Sequence, residues 1–199
     1  MHIERDLFKV VEDQAKGKEV VILLGPRQVG KSYILKWLQK RIEKDKVQTS
    51  FFDLENPEIL IQFNQPDTEV FKLLTKSGRV VFIDEFHYLK NASKLFKAVY
   101  DSKHRVKIFA SGSSSIEIHK HLKESLAGRR YFLKVMPLTV HELENKIGKK
   151  AHDYYLRFGG LPGVINKKNR QERMNHLQEL VQTYLIKDIK GLIKEENIR

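Results

Sequence analysis

Gly25-Pro26-Arg27-Gln28-Val29-Gly30-Lys31-Ser32 fits the pattern G-x-x-x-x-G-K-[ST] at every position. Its neighbours decide how it is read. Glu19-Val20-Val21-Ile22-Leu23-Leu24 before it is a short apolar, β-branched run that reads as a buried strand. Ser32 to Arg41 after it has helical composition, with apolar residues at helical spacing. Strand, glycine loop and helix form the context that a phosphate-binding loop requires. The two glycines let the backbone curl so that successive N–H groups face one anion. The helix N-terminus adds its partial positive charge. Lys31 can reach the β- and γ-phosphates of a nucleotide, and the Ser32 hydroxyl is a ligand for Mg²⁺.

A second signal lies downstream. Val80-Val81-Phe82-Ile83-Asp84-Glu85 is an apolar strand that ends in two acids. A Mg-ATP site needs a carboxylate near the metal, which Asp84 can supply through the metal's water shell. Hydrolysis needs a base for the attacking water, and Glu85 stands one residue further on. Two solvated acids at a strand end are the bland alternative, weakened by the complete loop upstream. A small-molecule kinase is disfavoured by this acidic pair. In ATPases of the additional-strand division, a strand is inserted between the loop strand and the Asp strand, and its polar tip senses the γ-phosphate. The strand ending at Ser111-Gly112-Ser113-Ser114-Ser115 suits that role, with Ser111 and Ser113 both candidates. A serine-rich turn that satisfies its own backbone groups is the alternative.

Periodicity places the remaining elements. An amphipathic helix precedes Gly17, with Ile3, Leu7, Val10 and Val11 near one face. Val47 to Leu54 reads as a strand, and two short helices follow over Pro57–Phe63 and Asp67–Lys76, the second capped by Asp67. Asn91 is placed to cap a helix through Tyr100. Strands are expected over Arg105–Ala110 and Tyr131–Val135. Strands alternating with helices imply a parallel sheet covered on both faces. Beyond Pro137 no strong strand occurs. Thr139 with Glu142 forms a capping-box pattern, a second helix runs from about Lys149 to Phe158, and Gly159-Gly160-Leu161-Pro162-Gly163 is a turn cluster. From Gln171, Met174, Leu177, Val181, Tyr184, Leu185, Ile189 and Leu192 keep helical spacing, as if one face of a long helix were buried against a partner.

These motifs, taken in order, resemble one family. The loop, the Asp84-Glu85 strand, Ser111-Gly112-Ser113-Ser114, Ser125-Leu126-Ala127-Gly128-Arg129, Met136-Pro137-Leu138-Thr139, Gly159-Gly160-Leu161-Pro162 and Tyr184-Leu185-Ile186-Lys187-Asp188-Ile189 are similar to the prokaryotic AAA+-type ATPases. Those proteins usually carry a second, C-terminal domain of uncharacterised or nuclease-like type. The resemblance covers nearly the whole chain and implies ATP binding and hydrolysis, with Arg129 as a sensor or finger arginine acting in its own subunit or across an interface. His87 departs from it, standing where a glutamine often follows the acidic pair. The chain also stops at Arg199, about where the second domain would begin, so it is either cut short or a short member.

Composition bounds the rest. The 199 residues suffice for one core plus a small helical region, and cysteine is absent, which excludes a disulfide framework and a Cys-based metal site. No apolar run approaches the roughly 20 residues of a membrane helix. The charged N-terminus lacks a signal segment, so a cytoplasmic protein without a membrane partner is expected. The net charge of +12 favours anionic partners. Lys90, Lys94, Lys97, Lys103, Arg105, Lys107, Lys120, Lys123, Arg129, Arg130 and Lys134 crowd one interval that would make a DNA track if they shared a surface; solvated helix faces are the alternative. The expectation is therefore an α/β P-loop NTPase core over residues 1–136, of the AAA+ additional-strand type, and a helical lid-like region over 137–199. It would hydrolyse ATP with Mg²⁺ and couple this to conformational change. The alternative function is a slow-turnover, nucleotide-gated module that docks DNA or a protein. A homo-oligomer fits either.

Overall fold

The computed structural model describes residues 3–113 and 126–185. The chain divides into two compact units, Arg5–Met136 and a second made of the first four residues with Pro137 onward.

The first unit is built on five strands: β1 (Val20–Gly25), β2 (Thr49–Asp53), β3 (Val80–Asp84), β4 (Lys107–Ser113) and β5 (Arg130–Lys134). Their order across the sheet is β2-β3-β4-β1-β5, and every neighbouring pair is parallel. β4 is thus inserted between the strand that feeds the loop and the strand that ends in the acids. This is the additional-strand arrangement expected from the sequence.

The order also explains why both faces are covered. Crossovers between parallel strands are right-handed. The step from β1 to β2 runs across the sheet in one direction, and the steps from β2 to β3 to β4 run in the other. Their helices therefore lie on opposite faces. Because strand residues alternate between faces, Ile22, Leu24, Val81, Ile83, Ile108 and Ala110 form one core with Val70 and Leu74 of α4 (Asp67–Lys76) and with Leu95, Phe96 and Val99 of α5 (Ala92–Asp101). The alternate residues Phe82 and Phe109 stack at 5.4 Å, and Phe51 lies 6.1 Å from Phe82. α2 (Lys31–Glu43) contacts β1 to β4 and buries Ile34, Leu35 and Leu38.

Three local expectations change. In α1 (Leu7–Gln14) the buried face is Phe8 and Val11, whereas Val10 is exposed and Ile3 lies outside the helix. Phe8 stacks on Trp37 of α2 at 3.9 Å, so Trp37 is spent on packing. α3 (Pro57–Phe63) is capped by Asn56, but Asp67 does not cap α4. Pro66 holds that position, and the Asp67 carboxylate accepts hydrogen bonds from Asn91 (3.3 Å) and Lys94 (3.4 Å). Asn91 accordingly gives no side-chain cap to α5.

The second unit is helical. Thr139 and Glu142 form the expected capping box at α6 (Val140–Ile147): the Glu142 N–H donates to Thr139 Oγ1 at 3.1 Å, and the Thr139 N–H donates to Glu142 Oε2 at 2.9 Å. α7 (Ala151–Phe158) adds Ala151 and Tyr154 to a small core with Ile3, Leu138 and Leu143. Gly160 lies flush against Leu138, whose N–H donates to its carbonyl at 2.7 Å; a Cβ there would sit 2.1 Å from the Leu138 oxygen. That contact accounts for two of the later motifs as packing. After α8 (Pro162–Ile165), α9 (Arg170–Leu180) has no buried residue, and it continues into a wide π turn over Val181–Leu185. Ile189 and Leu192 lie outside the described residues.

Candidate nucleotide site

In a parallel sheet of this kind, ligands bind beyond the carboxyl ends of the strands. Gly25, Asp53, Asp84 and Ser113 stand at those ends of β1, β2, β3 and β4. The loop leaves β1 at Gly25, where a Cβ would come within 2.1 Å of the Val135 carbonyl oxygen. Only glycine permits that approach, and it is locked by the Val135 N–H donating to Leu24 O at 2.7 Å. Gln28 (φ 62°) and Gly30 (φ 95°) take left-handed conformations that curl the loop into α2. Pro26, Arg27 and Gln28 are exposed, whereas Val29 is fully buried and anchors the loop from beneath.

Lys31 opens α2 and folds back over the loop. Its Nζ donates to the carbonyls of Gly25 (3.1 Å) and Pro26 (2.9 Å). Burial pushes its pKa below the ordinary lysine value, while the charges of Glu85 and Asp84 pull the other way. The loop lysine and the two strand-end acids therefore share one electrostatic environment. Ser32 follows in the first turn of α2.

Asp84 is 3 % exposed and accepts a hydrogen bond from the hydroxyl of Ser111, itself fully buried. Sheet register brings this about: Ile83 pairs with Ala110, so the next residues of β3 and β4 fall side by side. Ser111 thus orients the Asp84 carboxylate. Ser113, two residues on, pairs with Gly25 at the mouth of the loop. Glu85 leaves the strand in a left-handed conformation (φ 52°, ψ 48°) and begins the 3₁₀ turn Phe86–Tyr88. Burial would raise its pKa. The His87 imidazole beside it, then the Lys31 and Arg27 charges, outweigh burial and hold Glu85 below the usual glutamate value. It is ionised at neutral pH. A hydroxyl at Ser32 and a carboxylate at Asp84 are hard oxygen donors of the type that suits Mg²⁺, which takes few protein ligands and completes its shell with water and phosphate oxygens.

A family model for the AAA domain matches residues 17–144. The chain belongs to this AAA domain family. The match takes in the loop, the acidic strand end, the inserted strand and Arg129. An Uncharacterized protein, MJ1544, of Methanocaldococcus jannaschii is 26% identical over 98% of this chain and 48% of its own length. Rv2008c of Mycobacterium tuberculosis is 26% identical over 87% of this chain and 36% of its own. The chain spans about half or less of the length of these curated relatives. Among solved structures, AMPPCP-bound DnaA from Aquifex aeolicus superposes with a TM-score of 0.53 at 11% identity, covering 98% of this chain and 68% of that one. A replication initiator DnaA bound to AMPPCP and single-stranded DNA gives 0.52 at 13% identity, covering 96% and 63%. At such identity the likeness is one of fold.

The AAA domain does not bring every expected residue to its nucleotide edge. Arg129 precedes β5, and its carbonyl accepts from the Val20 N–H at the start of β1. Five residue steps of about 3.3 Å separate that edge from the loop, roughly 17 Å. Its Nε donates to Asp101 Oδ1 at 2.9 Å. Arg129 therefore does not reach its own loop. The basic interval is also divided: Lys107 is buried, with Nζ donating to Glu19 O at 2.5 Å, and Lys94 pairs with Asp67. Lys120 and Lys123 lie outside the described residues. No helix among the described residues is long and apolar enough to cross a membrane.

Two residues, Arg5 and His87, escaped motif reading. Arg5 is 4 % exposed and donates from Nη1 to Val29 O (2.9 Å) and from Nη2 to Met136 O (2.8 Å), fixing the loop from behind. His87 sets Nδ1 3.1 Å from Glu85 Oε2. Arg5 sits in a charged N-terminal stretch with no pattern to mark it, and only the departure from glutamine pointed to His87.

Proposed function

We propose that this AAA domain binds ATP in the Gly25–Ser32 loop and hydrolyses it, coupling turnover to conformational change. The observation that carries this reading is the convergence of the buried Lys31 with the Asp84–Ser111 pair and the ionised Glu85 at one sheet edge. The loop N–H groups and Lys31 bind the phosphates, with Lys31 exchanging its carbonyl partners for phosphate oxygens. Ser111 keeps Asp84 oriented. Ser32, and Asp84 through the metal's water shell, would hold Mg²⁺, which would neutralise phosphate charge. Glu85 accepts a proton from the water that attacks the γ-phosphorus as the bridging P–O bond breaks. Ser113, in register with Gly25, is the β4 position assigned to sensing the γ-phosphate.

Phosphate release with and without EDTA tests this directly. Glu85→Gln keeps shape and hydrogen bonding but removes the base, so turnover should fall by roughly 10²–10⁴-fold with ATP still bound. A parent rate in Glu85→Gln, or no Mg²⁺-dependent release from the parent, would refute the reading. Coupling to DNA rests on the net charge of +12 and on a fold shared with a DNA-bound initiator. Lys90, Lys97, Lys103 and Arg105 are exposed and open to it. DNA binding that weakens steeply with salt, together with stimulated turnover, supports that coupling; a flat salt response removes it.

A further inference from the structure

Glu85 and His87 flank a pinned residue. Phe86 is buried against β4 at Gly112, where a Cβ would come within 2.8 Å of the Phe86 ring, and its centroid lies 6.0 Å from that of Phe96. The turn is closed by the Tyr88 N–H donating to Glu85 O at 3.1 Å and the Leu89 N–H donating to Phe86 O at 2.9 Å. Glu85 enters it with a positive φ, a conformation that costs a non-glycine residue free energy and persists only where the surroundings impose it. The result is to return His87 toward the Glu85 carboxylate. Nδ1 lies 3.1 Å from Oε2, and the two side chains are only 20 % and 18 % exposed. The approach is not aligned along the ring N–H, and Nδ1 has no hydrogen-bond partner among the described residues. Contacts of catalytic groups are often bent in this way until substrate is bound.

We propose that His87 is a positioning residue for Glu85: its ring N–H holds the carboxylate in the orientation that faces the attacking water, on a turn fixed by Phe86 and Gly112. This rests on Glu85 being the base. A glutamate with its flexible stem has many rotamers, and one misplaced by about an ångström costs on the order of 10²-fold in rate. His87 limits that freedom through a single contact, without touching substrate.

Two substitutions separate this role from simple packing. His87→Gln loses the ring but keeps an N–H donor for the carboxylate. His87→Phe keeps the ring's bulk beside Tyr88, 4.3 Å away, but has no donor. The expected result is a fall in kcat of roughly 10- to 100-fold for His87→Phe, the scale of a misplaced group, with ATP affinity nearly unchanged and most of the rate kept in His87→Gln. A packing role predicts the reverse order, so His87→Phe equal to or faster than His87→Gln overturns the inference. Neither change should lower the residual rate further in a Glu85→Gln background. If Glu85→Gln alone runs at the parent rate, the base assignment has failed. If Glu85→Gln is inactive while His87→Phe runs at the parent rate, only the role of His87 has failed.

Discussion

Arg5→Met tests how far the loop depends on a residue outside it. Arg5 spends two N–H groups on the carbonyls of Val29 and Met136, at 2.9 and 2.8 Å, from a site that is 4 % exposed. Hydrogen bonds to a charged donor contribute roughly 1.5–3 kcal/mol each, so removing both costs roughly 3–6 kcal/mol before any offset. Methionine of similar length escapes the desolvation cost of a buried guanidinium. A net loss of about 3 kcal/mol follows, within the usual 5–15 kcal/mol stability of a domain. The urea midpoint should fall by roughly 1–3 M for an m-value of 1–3 kcal/mol per M. The same change releases the Val29 carbonyl. Reordering one residue costs roughly 1–2 kcal/mol, so ATP affinity should weaken about tenfold. Arg5→Lys reaches one carbonyl but cannot fork to both, and should fall midway. Urea titration without nucleotide and calorimetric ATP titration read the two effects separately. An unchanged midpoint would refute the packing argument, and a lowered midpoint with unchanged ATP affinity would refute the link to the loop.

Lys31→Ala should abolish tight ATP binding, because it deletes the fixed charge facing the β- and γ-phosphates; calorimetry that finds unchanged affinity removes the site. Burial lowers Lys107 from the ordinary 10.5 to about 8, so between those values the unfolded chain binds more protons and stability rises with pH. The stability difference between the parent and Lys107→Met should therefore shift in the parent's favour by roughly 3 kcal/mol between pH 8 and 10.5 and stay level below pH 7, whereas a constant difference across the window contradicts the burial cost. Arg129→Ala mixed with Glu85→Gln should regain turnover that neither has alone, because Arg129 can serve only a neighbour's loop; no recovery leaves it a surface partner of Asp101.

Most of the architecture was legible because it is written in local patterns. Apolar runs such as Val20–Leu24 and Val80–Ile83 mark strands buried on both faces. Thr139 with Glu142 marks a helix start through bonds made within three residues, whereas the cap that Asn56 gives α3 was not read from the sequence. The additional-strand order was expected from the acidic pair and the serine tip, and β4 lies where that expectation put it. Partners distant in sequence left no such mark. Asp67 has the chemistry of a cap, but Asn91 and Lys94 claim its carboxylate from 24 and 27 residues away. Lys107 looks like one more surface cation until its strand is seen to start beside Glu19, whose carbonyl accepts a hydrogen bond from its Nζ. Ser111 and Ser113 could not be separated by sequence; the register gives Ser111 to Asp84 and pairs Ser113 with the mouth of the loop.

Arg129 shows why proximity in sequence misleads in a parallel sheet. It lies a short way after the serine tip, which suggests the phosphate side. Yet each strand of such a sheet must begin at the edge opposite the one where its predecessor ended, because the chain crosses the full sheet before re-entering it. A residue immediately before a strand is therefore at the amino edge, and one immediately after a strand is at the carboxyl edge. Glu85 obeys the second rule, at the edge where Gly25 and Ser113 end their strands, and Arg129 obeys the first. The same rule makes Arg129 available outward, where Asp101 holds it at 2.9 Å and Tyr100 lies beneath it. Held there, its guanidinium can meet a phosphate only if a second copy presents its carboxyl edge to this amino edge. A nucleotide role for Arg129 is then inseparable from assembly: it requires a head-to-tail contact, the heterologous kind that generates rings or open filaments, and it vanishes in the isolated subunit.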